Sequence, residues 1–293
     1  MPSSPWPAPW ATGQTAPGRA LRRARSLGAL VAIVLAGWTL GACGAARREG
    51  AGPPRRSPTT IEPSPTTTEA LPTTTPPAPT TSVPPPAGPV LEIGDSLGID
   101  LGWGLTDALS GSRHRLNAAA VGDTGLAEPT YYDWPAQLSL DLRRYHPRIV
   151  VVLLGANDVE SFYASDRFLP FGSPAWAALY GKRVAEMMEE AVGKGAKLLW
   201  VGLPPMQSPS FSSDMATLNA VYRDEAIAHR PDVSYLASWR VLGGPQGQYR
   251  GELAGPDEEK VILRAPDGVH ITRGGGDLLA KAVVARLERL RWL

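Results

Sequence analysis

Arg148-Ile149-Val150-Val151-Val152-Leu153-Leu154-Gly155-Ala156-Asn157-Asp158 is the stretch that decides the fold. After Arg148 come six consecutive branched apolar residues, three of them valine. That is the pattern of a strand buried on both faces. Such a strand requires helices on both sides of its sheet. Outward from it, the chain alternates. Upstream, Pro89-Val90-Leu91-Glu92-Ile93 reads as a short buried strand. A helix through 101–109, a second strand at 116–121 and a helix at 137–145, stopped by His146-Pro147, complete that side. Downstream, an amphipathic helix over 174–192 ends at Gly193 and Gly195, and a strand over 197–201 ends at Pro204-Pro205. A helix at 213–229, a last core strand at 233–236 and a closing helix at 277–290 follow. Residues 260–263 are expected to pair locally with 247–249. The alternation predicts an α/β domain with a parallel sheet covered on both faces. Ligands on such sheets bind beyond the C-terminal ends of the strands.

The remaining sequence divides the chain into three parts. Residues 89–293 are enough for one well-buried core and hardly for two. Residues 44–88 read as a tether: within 53–88, 12 of 36 positions are Pro and 10 are Thr. Such composition cannot bury enough apolar area to repay the entropy of ordering. Extended as polyproline II, it would reach at most ~140 Å. Residues 1–43 carry four Arg and no Asp or Glu around an apolar run at 27–42. That is the layout of a secretory signal. Sixteen helical residues span roughly 24 Å, short of the ~30 Å hydrocarbon core. The uncharged run extends over 26–46, however, so an uncleaved membrane helix stays open as the alternative. Leu40-Gly41-Ala42-Cys43 resembles the bacterial lipoprotein lipobox. That resemblance implies cleavage before Cys43 and lipid attachment to its thiol, each buried methylene contributing about 0.8 kcal/mol to anchoring. Either anchor puts the domain outside the cytoplasmic membrane.

Composition also excludes. A single cysteine rules out an internal disulfide and any zinc site built on Cys pairs. Before residue 89 there are 8 Lys+Arg against 3 Asp+Glu, and from there on 21 against 25. A mildly acidic globular part argues against nucleic acid as a partner.

Three motifs fall at predicted strand ends. Gly94-Asp95-Ser96-Leu97-Gly98 follows the first strand, where a sharp turn can present a serine oxygen at a helix N-terminus. It matches the G-x-S-x-G elbow of α/β-hydrolases literally. That fold is rejected, because the elbow needs several strands before it and only the tether precedes Ser96. Gly155-Ala156-Asn157-Asp158 follows the decisive strand, and Asn157 offers an uncharged donor for developing negative charge. Asp267-Gly268-Val269-His270 precedes the last helix. Its spacing lets Asp267 orient one imidazole nitrogen and leave the other free as a base. His114, His146 and His229 have no such neighbour and read as structural or surface residues.

In this order the blocks resemble the SGNH (GDSL-type) hydrolase family, over residues 90–292. Asn117-Ala118-Ala119-Ala120-Val121-Gly122 matches that family's glycine block, with Gly122 first and Gly125 second choice. The resemblance implies a flavodoxin-like three-layer α/β/α sandwich with a five-stranded parallel sheet. It implies Ser96 as nucleophile, His270 as general base and then acid, and Asp267 as its orienting partner. The oxyanion hole would be the Ser96 and Gly122 backbone N–H groups with the Asn157 side chain. Asp95 and Asp158 match family positions and read as loop braces. No metal and no organic cofactor is implied.

The implied activity is acyl transfer through an acyl-serine, with hydrolysis of short acyl esters on envelope polysaccharide as the first reading. An O-acyltransferase using the same triad, with a membrane acyltransferase as partner, is the alternative. A non-catalytic glycan-binding lipoprotein is the third, and the intact Ser96, Asp267 and His270 argue against it. Trp103, Tyr131, Tyr132, Trp134, Phe162 and Tyr163 stand near the catalytic strand ends, either to stack on sugars or to pack loops onto the sheet.

Overall fold

A computed structural model of the chain describes residues 87–293 apart from 165 and 256–258. The expected signal, Cys43 and nearly all of the expected tether lie outside the described residues. The five expected core strands form one parallel sheet: β1 (Val90–Gly94), β2 (Leu116–Ala118), β3 (Ile149–Leu153), β6 (Lys197–Val201) and β7 (Val233–Leu236). Their order is β2-β1-β3-β6-β7, the flavodoxin-like order with its switch point between β1 and β3. Every residue of β1 and β3 is buried, as the unbroken apolar runs require.

The helices are α1 (Ser96–Ala108), α2 (Trp134–Tyr145), α3 (Pro174–Gly193), α4 (Pro209–Ala228), α5 (Trp239–Leu242) and α6 (Arg273–Arg289). Right-handed crossovers send the connection from β1 to β2 over one face and the later ones over the other. Accordingly α1 packs against α6, while α2, α3 and α4 pack in series. The α1–α6 contact is unusually close. A Cβ at Gly104 would collide with the Gly276 carbonyl, and one at Gly276 would sit 2.6 Å from the Asp100 oxygen. Two bare backbones thus touch, drawing the N-terminus of α6 against the middle of α1.

Several boundaries differ from the sequence reading. α1, α2, α4 and α6 begin three to five residues earlier than their apolar periodicity suggests. Each starts at a cap whose carboxylate or hydroxyl accepts a backbone N–H: Asp95, Asp133, Ser208 and Thr272. β2 is shorter than 116–121, although Ala119 and Val121 continue the ladder by donating to the Glu92 and Gly94 carbonyls at 2.8 Å each. The expected pairing of 260–263 with 247–249 is corrected. β9 (Lys260–Ile262) pairs antiparallel with β8 (Glu252–Ala254). Residues 244–248 instead close a turn on themselves, Gly244 donating to Gln248 and Gly247 to Gly244 at 2.8 Å. A second hairpin, β4 (Phe162–Ala164) with β5 (Arg167–Leu169), was not anticipated. Among the described residues no helix is long and apolar enough to cross a membrane.

Candidate active site

β1 ends in Gly94, and α1 starts two residues later at Ser96. Asp95 makes this turn possible. Its Oδ1 accepts from the Leu97 N–H at 2.9 Å, capping α1. Its Oδ2 accepts from the Gly155 and Ala156 N–H groups, also at 2.9 Å, tying the loop after β1 to the loop after β3. Asp95 is fully buried. Burial pushes its carboxyl up to about 6, against the pull of those three N–H groups.

The loop after β3 is tied in turn to the loop after β2. Asp158, also buried, accepts from the Leu126 and Ala127 N–H groups at 2.9 and 2.8 Å and from the Tyr180 hydroxyl at 2.5 Å. Burial raises its carboxyl despite these donors. Asn157 Nδ2 donates to the Thr124 carbonyl at 2.9 Å. That bond uses one of the two amide hydrogens and fixes the plane of the group, leaving the second for a ligand. Both carboxylates therefore brace loops, as the sequence suggested: among the described residues their hydrogen-bond partners are backbone N–H groups and the Tyr180 hydroxyl.

The two candidate glycines separate on sterics. A Cβ at Gly125 would run into the Asp158 carboxylate, so that glycine serves the brace. A Cβ at Gly122 would meet only Ile99 Cδ1, at 3.9 Å. Gly122 follows Val121, whose N–H donates to Gly94 O two residues before Ser96. Its backbone is thus delivered beside the serine turn.

The Asp267–His270 turn arrives from the other side. His270 Nε2 lies 3.0 Å from Ser96 Oγ, across 174 residues of sequence. His270 Nδ1 lies 2.7 Å from Asp267 Oδ2. Asp267 Oδ1 also accepts from the Val269 and His270 N–H groups, at 2.8 and 3.0 Å. Its slight burial would raise the Asp267 carboxyl. The imidazole and the two N–H groups outweigh that and hold it down at about 2. A carboxylate so fixed selects the tautomer with the proton on Nδ1, and Nε2 then accepts from the serine hydroxyl.

Two residues that sequence reasoning missed hold this turn. Arg264 is buried and donates to the carbonyls of Pro205, Val269 and His270. Asp100, in the second turn of α1, accepts from the Ile271 N–H at 2.8 Å. Burial pushes the Asp100 carboxyl up to about 6. Arg264 stands three residues before Asp267, but its acceptors lie partly on another segment, so nothing local marks it.

The aromatic candidates divide. Trp134 and Phe162 belong to the core, with Phe162 stacked on Trp176 at 5.4 Å. Trp103, Tyr131 and Tyr163 are exposed, and Tyr131 lines a small cleft together with Asn157. Tyr132 is half-buried against Trp134. The other histidines are structural: His114 contacts the Gly88 carbonyl, His146 caps α2 in a left-handed conformation, and His229 contacts the Glu225 carbonyl.

Strand order, the serine turn after β1, the Asn loop after β3 and the Asp–His turn before α6 together define the SGNH (GDSL-type) hydrolase fold. Solved structures agree at the level of fold. A candidate acylhydrolase of Bacteroides fragilis aligns with a TM-score of 0.50 at 16% identity, over 70% of this chain and 88% of that one. The periplasmic domain of a lipopolysaccharide acetyltransferase of Salmonella ser. Paratyphi A gives 0.50 at 14% identity, over 69% and 84%. The chain belongs to the family described as protein of unknown function DUF459, whose model matches residues 89–286. No match was found among curated proteins.

Proposed function

We propose that the protein is a serine esterase that cleaves carboxylic esters through an acyl-enzyme. The observation that carries this reading is the continuous line from Asp267 through His270 to Ser96, at 2.7 and 3.0 Å. His270 Nε2 takes the Ser96 proton as Ser96 Oγ bonds to the ester carbonyl carbon. Asp267 stabilises the imidazolium that results. The negative oxygen of the tetrahedral intermediate is met by the Ser96 and Gly122 N–H groups and the free Asn157 amide hydrogen. His270 then protonates the leaving alkoxide, and water resolves the acyl-serine by the same steps in reverse.

The proposed setting is outside the cytoplasmic membrane, with the domain tethered through residues 44–88 to an anchor at Cys43 or to an uncleaved helix. Short acyl esters on envelope glycans are the proposed substrates. The acetyltransferase among the structural neighbours favours a second reading, in which a sugar hydroxyl replaces water as acceptor. Hydrolysis of p-nitrophenyl acetate and butyrate tests the first reading: wild-type protein turns them over and Ser96→Ala does not. Equal turnover by Ser96→Ala would end the assignment. The ratio of transfer to hydrolysis, measured with an acetyl donor and a glycan acceptor, separates the two readings.

A further inference from the structure

A groove runs away from the Asp267–His270 turn, and the ester chemistry makes no use of it. One face of α4 forms its floor. Pro209, Ser212, Ser213 and Ala216 line a cavity of about 550 Å³, and Ala216, Asn219, Ala220 and Arg223 line a second of about 710 Å³. Ala216 and Trp239 line both, so the two cavities are neighbours along the same face of the helix. From 209 to 223 an α-helix spans ~21 Å, the length of an oligomer rather than a single small molecule.

The two ends differ in chemistry. The near end abuts the catalytic turn: Gln207 lines it, and its N–H donates to Gly268 O at 3.0 Å. Gln246, Gln248, Ser212 and the ring of Tyr249 complete that end. Amides and hydroxyls match sugar hydroxyls, and flat aromatic rings match the C–H faces of sugars. The far end carries Arg223, Arg240, Arg286 and Arg289, with no Asp or Glu in its lining. Arg223 pairs with Asp224 outside the cavity. Arg286 donates to Ser234 Oγ at 2.8 Å, while its Nε–H is shielded from water and has no acceptor. The side chains of Arg240 and Arg289 are exposed and have no partner among the described residues. Guanidinium groups without carboxylates are a site for anions. The folded part is otherwise acidic, which disfavours a polynucleotide.

We propose that this groove binds an anionic glycan. Its sugar rings lie on Trp239 and Tyr249 beside the catalytic turn, and its carboxylate or phosphate groups meet Arg240, Arg286 and Arg289. The proposal rests on the esterase reading and names the class of its substrate: an acylated acidic polysaccharide.

Calorimetric titration of the full chain carrying Ser96→Ala tests it, with tetragalacturonate, phosphopentamannose, neutral galactotetraose and a single-stranded DNA dodecamer as probes. At least one anionic sugar binds roughly tenfold or more tightly than galactotetraose, and added salt weakens that binding. Adding Arg240→Ala and Arg289→Ala lowers this affinity roughly tenfold or more, with cooperative melting retained. Adding Trp239→Ala weakens all the sugars. Equal binding of neutral and anionic sugars, no sugar binding, arginine variants that bind like the parent, or DNA binding as tightly as the best sugar would each overturn the proposal. Turnover of p-nitrophenyl acetate by the wild-type chain reports separately on the chemistry. Anionic sugar binding without turnover would sink the esterase and leave the groove. Turnover without such binding would sink the groove alone.

Discussion

Asp95 and Asp267 each fix a turn at the open end of the sheet, one residue before Ser96 and three before His270, and they do so in opposite surroundings. Asp95 is sealed in the core, takes three backbone N–H groups, and is still pushed up to about 6 by burial. Asp267 is exposed, takes two N–H groups and an imidazole, and is held down at about 2. The serine side of the site is rigid at an electrostatic cost. The histidine side keeps a permanent negative charge where a proton must be handled. The same side chain thus serves architecture in one place and chemistry in the other.

Substituting each aspartate by its neutral isostere breaks the comparison most sharply. Asp267→Asn is expected to lower ester turnover by roughly 10³–10⁴, because the amide no longer enforces the tautomer that leaves Nε2 free. Its loss of stability should be the smaller of the two, since the group is exposed and its charge is screened by solvent. Asp95→Asn should do the reverse in emphasis, lowering unfolding free energy by about 1–3 kcal/mol in urea titrations, since one amide oxygen cannot replace two carboxylate oxygens. Equal effects of both substitutions on stability would show that the division is wrong. Asn157→Ala follows in size, with turnover reduced by about 10²–10³ and the fold intact.

The pH dependence of stability sharpens the contrast. Asp95 binds its proton more tightly folded than unfolded. Its contribution therefore favours folding at low pH and weakens as pH rises from its ordinary 3.8 to about 6. Asp267 has the opposite sign: its contribution is in place above 3.8 and is lost as pH falls through about 2. Urea midpoints taken across pH 2–7 for wild type and the two isosteres should diverge in those two windows and in those directions. The smallest effect is expected at Glu92. It is fully buried in β1 with neither oxygen hydrogen-bonded, and burial raises its carboxyl well above the ordinary range. Burial disfavours its charged form, and Glu92→Gln, which keeps the shape without the charge, should shift stability near neutral pH by less than about 1 kcal/mol. A large loss would mean that Glu92 carries a charge with a partner.

How much was legible in the sequence follows from whether the determinant is local. The strand at 149–153 and the serine, asparagine and histidine blocks are contiguous runs, and the sheet order follows from the alternation and the family resemblance. The late helix starts arose because apolar spacing begins inside a helix, whereas Asp133 and Ser208 cap it a turn earlier. Arg264 and Asp100 escaped notice because their partners, Pro205 and Ile271, are far away in sequence. Nor could the α4 groove be read in advance. Arg223, Arg240 and Arg289 sit on three different helices and meet only when β7 brings α4, α5 and α6 together.

Labelling with a serine-directed alkyl phosphonate, located by peptide mass spectrometry, tests the central claim most directly. One adduct is expected, on the peptide containing Ser96, absent in Ser96→Ala and formed far more slowly in His270→Gln. No adduct, or an adduct at full rate in both variants, would contradict the joining of Ser96 and His270 into one reactive pair.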